Sequence, residues 1–198
     1  MKTVFGYGSL ILPTAPIGKI QDVSTVDKVY SRDSDKLVRS DALKKWRELK
    51  DQVDFVPVKV PGLKRYYSNE SPRGGAMLEV FPDEGSWVNG VIIFDLPDGI
   101  YSKVAETERK MGGYTLEEIP GKRIETYTDT GRKIPERIGI FVPDEESKHS
   151  RLDTSRSRNQ VYHRRIMKGI EMLGEEYGED VEESFRTDFM DTTYEREE

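Results

Sequence analysis

Two stretches of this chain carry residue types that could do chemistry. The first is Thr3-Val4-Phe5-Gly6-Tyr7-Gly8-Ser9-Leu10-Ile11, an apolar strand broken at two glycines set around a tyrosine. Without a Cβ at Gly6 and Gly8, the backbone is free to take unusual conformations and to approach a ligand closely. Amides released from sheet pairing in such a turn can point at an anion or a polarised oxygen. A tight structural turn satisfies the same pattern. The stretch lacks the third glycine of a dinucleotide fingerprint and the Gly-Lys-Ser/Thr of a phosphate loop. Ser9 follows Gly8 directly, so it is not a Gly-x-Ser-x-Gly nucleophile turn. The second stretch holds Glu108. In a helix expected over 100–111, Val104, Glu108 and Met111 share a face at i, i+4, i+7. Apolar neighbours are one way a carboxyl is tuned to give and take a proton. Glu106 lies on another face, where solvent is the default.

The elements that must hold these residues can be read in order. After the first strand, Pro13 and Pro16 end regular pairing. A short strand is expected around 23–30. Ser40-Asp41 is a helix start, and Leu43, Trp46, Leu49 and Val53 follow at helical spacing as a core stripe. Strands are then expected over 55–60 and 63–67, with Pro61-Gly62 as the turn between them. After a polar loop over 69–75 come strands over 76–81 and 87–96, with 82–85 as a turn. The run Val91-Ile92-Ile93-Phe94 is apolar on both faces, as a central strand is. Pro97-Asp98-Gly99 closes that strand and Gly112-Gly113 ends the following helix. Strands over 117–119, 123–127 and 134–142 follow, the last two joined by a hairpin at Asp129-Thr130-Gly131. A charged loop spans 144–158. Val161–Tyr177 reads as a helix with Tyr162, Ile166, Ile170, Leu173 and Tyr177 as its stripe. A short helix over 181–189 and a frayed tail over 191–198 complete the chain. Strands dominate with helices set between them, which argues α+β and one domain over 1–198.

Composition narrows the function classes. The 198 residues include no cysteine, so disulfides, thiolate metal sites and a cysteine nucleophile are excluded. Two histidines, His149 and His163, make a poor basis for a metal centre, and both read as surface or helix residues. A formal charge of −6 does not favour nucleic acid as a partner. No apolar run approaches the ~20 residues of a membrane span, and the N-terminus lacks the pattern of a secretion signal. A soluble cytoplasmic protein without metal or cofactor is expected. Oligomeric state is left open.

Val4-Phe5-Gly6-Tyr7-Gly8-Ser9-Leu10-Ile11 resembles the opening strand of the γ-glutamylcyclotransferase superfamily, especially its ChaC branch. Glu108-Arg109-Lys110-Met111-Gly112-Gly113-Tyr114 resembles the ChaC stretch in which a glutamate precedes Gly-Gly-Tyr by three residues. Supporting segments are Pro61 to Tyr67, Arg73-Gly74-Gly75, Val88 to Ile92, and Tyr162 to Gly169. They follow the family's order across most of the chain. The chain departs from the ChaC pattern after Ile11, where Leu12-Pro13-Thr14-Ala15-Pro16 replace an aromatic and a polar segment.

The resemblance implies a small mixed β-barrel flanked by helices. It also implies cleavage of a γ-glutamyl amide by its own α-amine, releasing 5-oxoproline. That chemistry needs no enzyme nucleophile. It needs the γ-glutamyl arm held folded, one carboxyl to take a proton from the ammonium and return it to the leaving amine, and donors for the oxyanion. The resemblance assigns the carboxyl to Glu108 and substrate contacts to Tyr7, Gly8, Ser9, Leu10 and Tyr114. The substrate class is a small γ-glutamyl amide, either glutathione or another γ-glutamyl peptide or amine. Tyr114 is equally well a core aromatic. Arg73 is a solvated loop residue or a partner for a substrate carboxylate, and Tyr162 is core or a ligand contact. The competing reading is a non-catalytic small-ligand or protein-binding module on the same fold, which would have no need of a carboxyl on an apolar helix face.

Overall fold

The computed structural model describes residues 2–11, 54–70, 76–144, 160–190 and 192. The expected strand over 23–30, the Trp46 helix, Arg73, His149 and most of the charged loop lie outside the described residues. So do the side chains of Ser9 and Met111.

One mixed sheet of six strands organises the chain. The strands are β1 (Lys2–Gly6), β2 (Phe55–Glu70), β3 (Ala76–Leu96), β4 (Tyr114–Pro120), β5 (Glu125–Thr126) and β6 (Arg137–Pro143), in the order β4-β6-β1-β3-β2-β5. Three helices accompany them: α1 (Asp98–Gly112), α2 (Gln160–Tyr177) and α3 (Glu179–Met190). The α+β class with a mixed sheet and flanking helices is as expected. Closure into a barrel is not made among the described residues, where no pairing joins β4 to β5. The β5 edge is two residues long and reaches β2 only through Val58↔Thr126 and Lys59↔Glu125.

β1 sits inside the sheet. It runs antiparallel to β3 through Phe5↔Ile92 and parallel to β6 through Phe5↔Ile140. Covered on both faces, its Val4 and Phe5 are fully buried, as are Val91, Ile92 and Ile93 of β3. This is the burial that two-sided apolar runs call for. β1 stops at Gly6. The break expected at Gly6 and Gly8 is found there, and Ser9–Ile11 close a single 3-10 turn in which the Ile11 amide donates to the Gly8 carbonyl at 3.0 Å.

β2 and β3 form one long antiparallel ladder where four shorter strands were expected. Pro61-Gly62 does not reverse the chain. Gly62, at φ +77°, absorbs a register shift, and pairing resumes at Leu63↔Pro82. Pairing stops at Pro61↔Trp87, so residues 83–86 stand opposite Gly62 alone. The turn signal over 82–85 therefore makes an excursion from the ladder, with the Gly85 amide donating to Asp83 Oδ1 at 3.0 Å.

The hairpin expected at Asp129-Thr130-Gly131 is also corrected. The local turn forms, with Gly131 at φ +64° donating its amide to Asp129 Oδ1 at 2.9 Å. Its flanks do not pair with each other: β5 joins β2, and β6 joins β1 and β4. Arg132 carries this segment back to the sheet through ion pairs of 2.6 Å to Asp54 and Asp95.

The α2 stripe is observed, with Ile166, Ile170 and Leu173 fully buried. α3 is tied to the sheet by a buried ion pair. Arg65 of β2 reaches Asp188 Oδ2 at 2.7 Å and donates to the Asn89 carbonyl at 2.5 Å. The Asn89 amide also donates to Asp188, at 2.7 Å. Thr192, expected in a frayed tail, is buried and its hydroxyl donates to the Asp188 carbonyl at 3.0 Å. Among the described residues no helix is long and apolar enough to cross a membrane.

Candidate functional site

The end of β1, the end of α1, the start of β4 and the first turn of α2 bring one group of side chains together. Gly6 and Gly8 give room rather than unusual angles, since neither has a positive φ. A Cβ on Gly6 would lie 2.6 Å from Leu10 Cβ. A Cβ on Gly8 would run into the Tyr162 hydroxyl. The bend after β1 therefore requires two small residues, and Leu10 and Ile11 anchor it by their burial.

Tyr7 projects from the bend into the interior. Its hydroxyl donates to the Phe141 carbonyl of β6 at 2.7 Å. Tyr114 enters from β4 and donates to the Leu78 carbonyl of β3 at 2.7 Å. Both phenols are pushed well above their ordinary value of 10.0. Burial is the main cause for each. For Tyr7, Tyr162, Glu108 and Glu79 add to it in that order while Arg65 opposes. For Tyr114, Tyr7, Tyr162, Glu79 and Glu108 add. Both phenols keep their protons and donate them to backbone carbonyls, and each oxygen retains acceptor capacity.

Glu108 is half-buried, four residues after the fully buried Val104 on α1, while Glu106 is exposed. The helix begins at Asp98, earlier than expected, because Pro97 is tolerated at the cap and an aspartate suits the first turn. It ends at Gly113, which takes the left-handed conformation at φ 63° and donates its amide to the Arg109 carbonyl at 3.1 Å. That sharp stop turns the chain directly into β4. Glu108 stands before that stop on α1 and Tyr114 directly after it on β4.

Two further groups were not singled out from the sequence. Glu79 of β3 is almost fully buried, and Ser68 Oγ of β2 donates to its Oε2 at 2.6 Å. Its signal was a lone charge inside Met77-Leu78-Glu79-Val80-Phe81. His163, read as a surface or helix residue, is half-buried on α2 with Nδ1 2.7 Å from the Tyr67 hydroxyl. Chemically the arrangement offers two carboxyls and neutral phenol oxygens, an acceptor-rich setting suited to a group that brings protons, such as an ammonium. Among the described residues no three His, Cys, Asp or Glu side chains gather in a metal-binding arrangement.

Comparison with known proteins finds no matching family profile and no curated protein of significant sequence similarity. Solved structures do match. An uncharacterised human protein aligns with a TM-score of 0.55 and 16% identity over 93% of this chain and 86% of that one. A γ-glutamyl cyclotransferase aligns with a TM-score of 0.52 and 14% identity over 93% and 86%. The chain has the γ-glutamylcyclotransferase-like fold. YkqA of Bacillus subtilis also matches, with a TM-score of 0.51 and 14% identity over 97% of this chain but 55% of YkqA. At these identities the likeness is one of fold. In this γ-glutamylcyclotransferase-like fold Gly8 lies against the Tyr162 hydroxyl, and Glu108 makes a lesser contribution, after burial, to the raising of Tyr7 and Tyr114.

Proposed function

We propose that the protein is a γ-glutamylcyclotransferase that cleaves a γ-glutamyl amide by attack of the substrate's own α-amine, releasing 5-oxoproline. What supports this reading is the γ-glutamylcyclotransferase-like fold together with the buried phenols of Tyr7 and Tyr114 and the Gly8 bend packed against Tyr162. The substrate ammonium meets acceptors there: the Glu108 carboxyl and the phenol oxygens. Glu108 takes a proton from it, which frees the amine to attack the γ-carbonyl. Backbone amides of the bend stabilise the oxyanion that forms. Glu108 then returns that proton to the leaving nitrogen as the C–N bond breaks, and the second proton of the attacking nitrogen passes to solvent, which leaves a neutral lactam, a free amine and the regenerated carboxylate. No group on the enzyme becomes acylated. A ChaC-like place in the superfamily, a substrate that is glutathione or another γ-glutamyl peptide or amine, and a cytoplasmic setting belong to the same reading.

The test is 5-oxoproline release, followed by mass spectrometry, from glutathione, γ-glutamyl dipeptides and γ-glutamylamines. Product from one class supports the reaction and gives the leaving group. A folded protein that releases none from any class overturns the reading in favour of a binding module on this fold.

A further inference from the structure

His163 has no part in the reaction drawn above, yet it makes a directional contact with a fully buried partner. Tyr67 is 0% exposed on β2, its hydroxyl 2.7 Å from His163 Nδ1, and the two rings are tilted at 56° with centroids 6.2 Å apart. Tyr67 stands opposite Leu78 in the β2–β3 ladder, and the Leu78 carbonyl is the acceptor for Tyr114. The rung that anchors Tyr114 therefore also anchors His163. The preceding residue, Tyr162, places its hydroxyl against Gly8.

Consecutive helical residues diverge by about 100° around the axis. Tyr162 and His163 thus hold the first turn of α2 in two directions, one toward the bend after β1 and one toward β2. The Tyr177 hydroxyl ties the far end of the helix to the Phe55 carbonyl. Next along from the first turn, Ile166, Ile170 and Leu173 attach the helix by apolar burial, which is non-directional and tolerates small rotations. A hydrogen bond does not. We propose that His163 is a positioning residue: its bond to Tyr67 fixes the rotation of the α2 start and so sets the Tyr162 hydroxyl against the Gly8 bend. The kinetic side of this inference rests on the γ-glutamyl reading; the structural side does not.

The experiment uses the full chain and the variants Tyr67→Phe, His163→Phe, His163→Asn and Tyr67→Phe/His163→Phe. Asparagine keeps a hydrogen-bonding atom near the place of Nδ1, whereas phenylalanine keeps only the ring. The first readout is the NMR position of the Gly8 amide and the Tyr162 ring, at a temperature where every variant is folded. The second is kcat and KM for 5-oxoproline release. Both phenylalanine variants are expected to shift the Gly8 and Tyr162 resonances and to lower kcat about tenfold, as a small misplacement at a reacting centre does. His163→Asn restores both, and the double variant is no worse than either single one. Unchanged Gly8 and Tyr162 resonances in the phenylalanine variants overturn the inference. So does a His163→Asn variant that behaves like His163→Phe, since a purely packing role predicts that. If the wild-type chain releases no 5-oxoproline, the γ-glutamyl reading fails and the resonances alone decide the role of His163.

Discussion

The hydroxyl of Tyr162 fills the place that a side chain on Gly8 would need. The next atom along, Tyr162 Cζ, is 3.6 Å from that point, an ordinary contact distance. Gly8→Ala is therefore expected to lose about 1–3 kcal/mol of stability, the usual effect of overpacking, together with most of its activity. Adding Tyr162→Phe removes the one clashing oxygen and should return much of the lost stability. Thermal unfolding of the two variants checks this, and a double variant no more stable than Gly8→Ala counts against the geometry.

Glu108→Gln keeps the size of the side chain and removes its ability to carry a proton. With the α1 and Gly113 geometry unchanged, the variant should fold as the parent does and lose about 10²–10⁴-fold in turnover, the range that general acid–base catalysis supplies. Glu106→Gln alters an exposed residue and should leave the rate within about twofold of wild type. Circular dichroism and 5-oxoproline release measured together check both. A Glu108→Gln protein with the parental rate would put the base elsewhere.

Local patterns were legible where one physical requirement decided them. Gly112-Gly113 announced the end of α1 because a left-handed residue is wanted there. The two-sided apolar run Val91–Phe94 announced a central strand. What stayed hidden depends on distant partners. Nothing local to Asp129-Thr130-Gly131 says that β5 will join β2 and β6 will join β1. Nothing at Pro61-Gly62 tells a reversal from a bulge in a continuing ladder. In the candidate site, Gly8 and Glu108 stood out by motif and by helical face. Glu79 and His163 did not, because their roles rest on Ser68 and Tyr67, residues brought beside them only by the fold.

The Arg65–Asp188 pair is buried, and Asp188 also accepts the Asn89 amide. Asp188→Ala would leave the guanidinium in the interior without its carboxylate, and a stability loss of about 3–5 kcal/mol is expected. Replacing both ends together with apolar residues of similar size should cost less than either single change, because no lone charge remains. Urea unfolding of the three variants measures the difference. An Asp188→Ala protein as stable as wild type would mean that α3 docks by its apolar face alone.

Alkaline pH gives a separate check on the phenols. Tyr7 and Tyr114 are raised well above 10.0 by burial, and Tyr177 is pushed up to about 12, again chiefly by burial. In the unfolded chain these groups lose their protons near pH 10, while the folded protein holds them. Stability is thus complete below about pH 10 and falls as pH rises from there towards 12 and beyond. Tyr7→Phe removes one contributor, so its stability should fall less steeply with pH in that window even though it starts lower for want of the bond to Phe141. Denaturant unfolding at intervals from pH 8 to 12 tests this; parallel slopes for the two proteins would sink it.

The excursion at 83–86 leaves the long hairpin able to accept a change in chain length. Pro61↔Trp87 and Leu63↔Pro82 pair on either side of it, so the ladder keeps its alternation whatever the number of residues between Pro82 and Trp87. Glu84 and Gly85 are exposed at its tip. A peptide tag or a fluorophore sequence spliced between them would leave the sheet in register, whereas a single residue inserted beside Tyr66 would turn every following side chain of β2 to the opposite face.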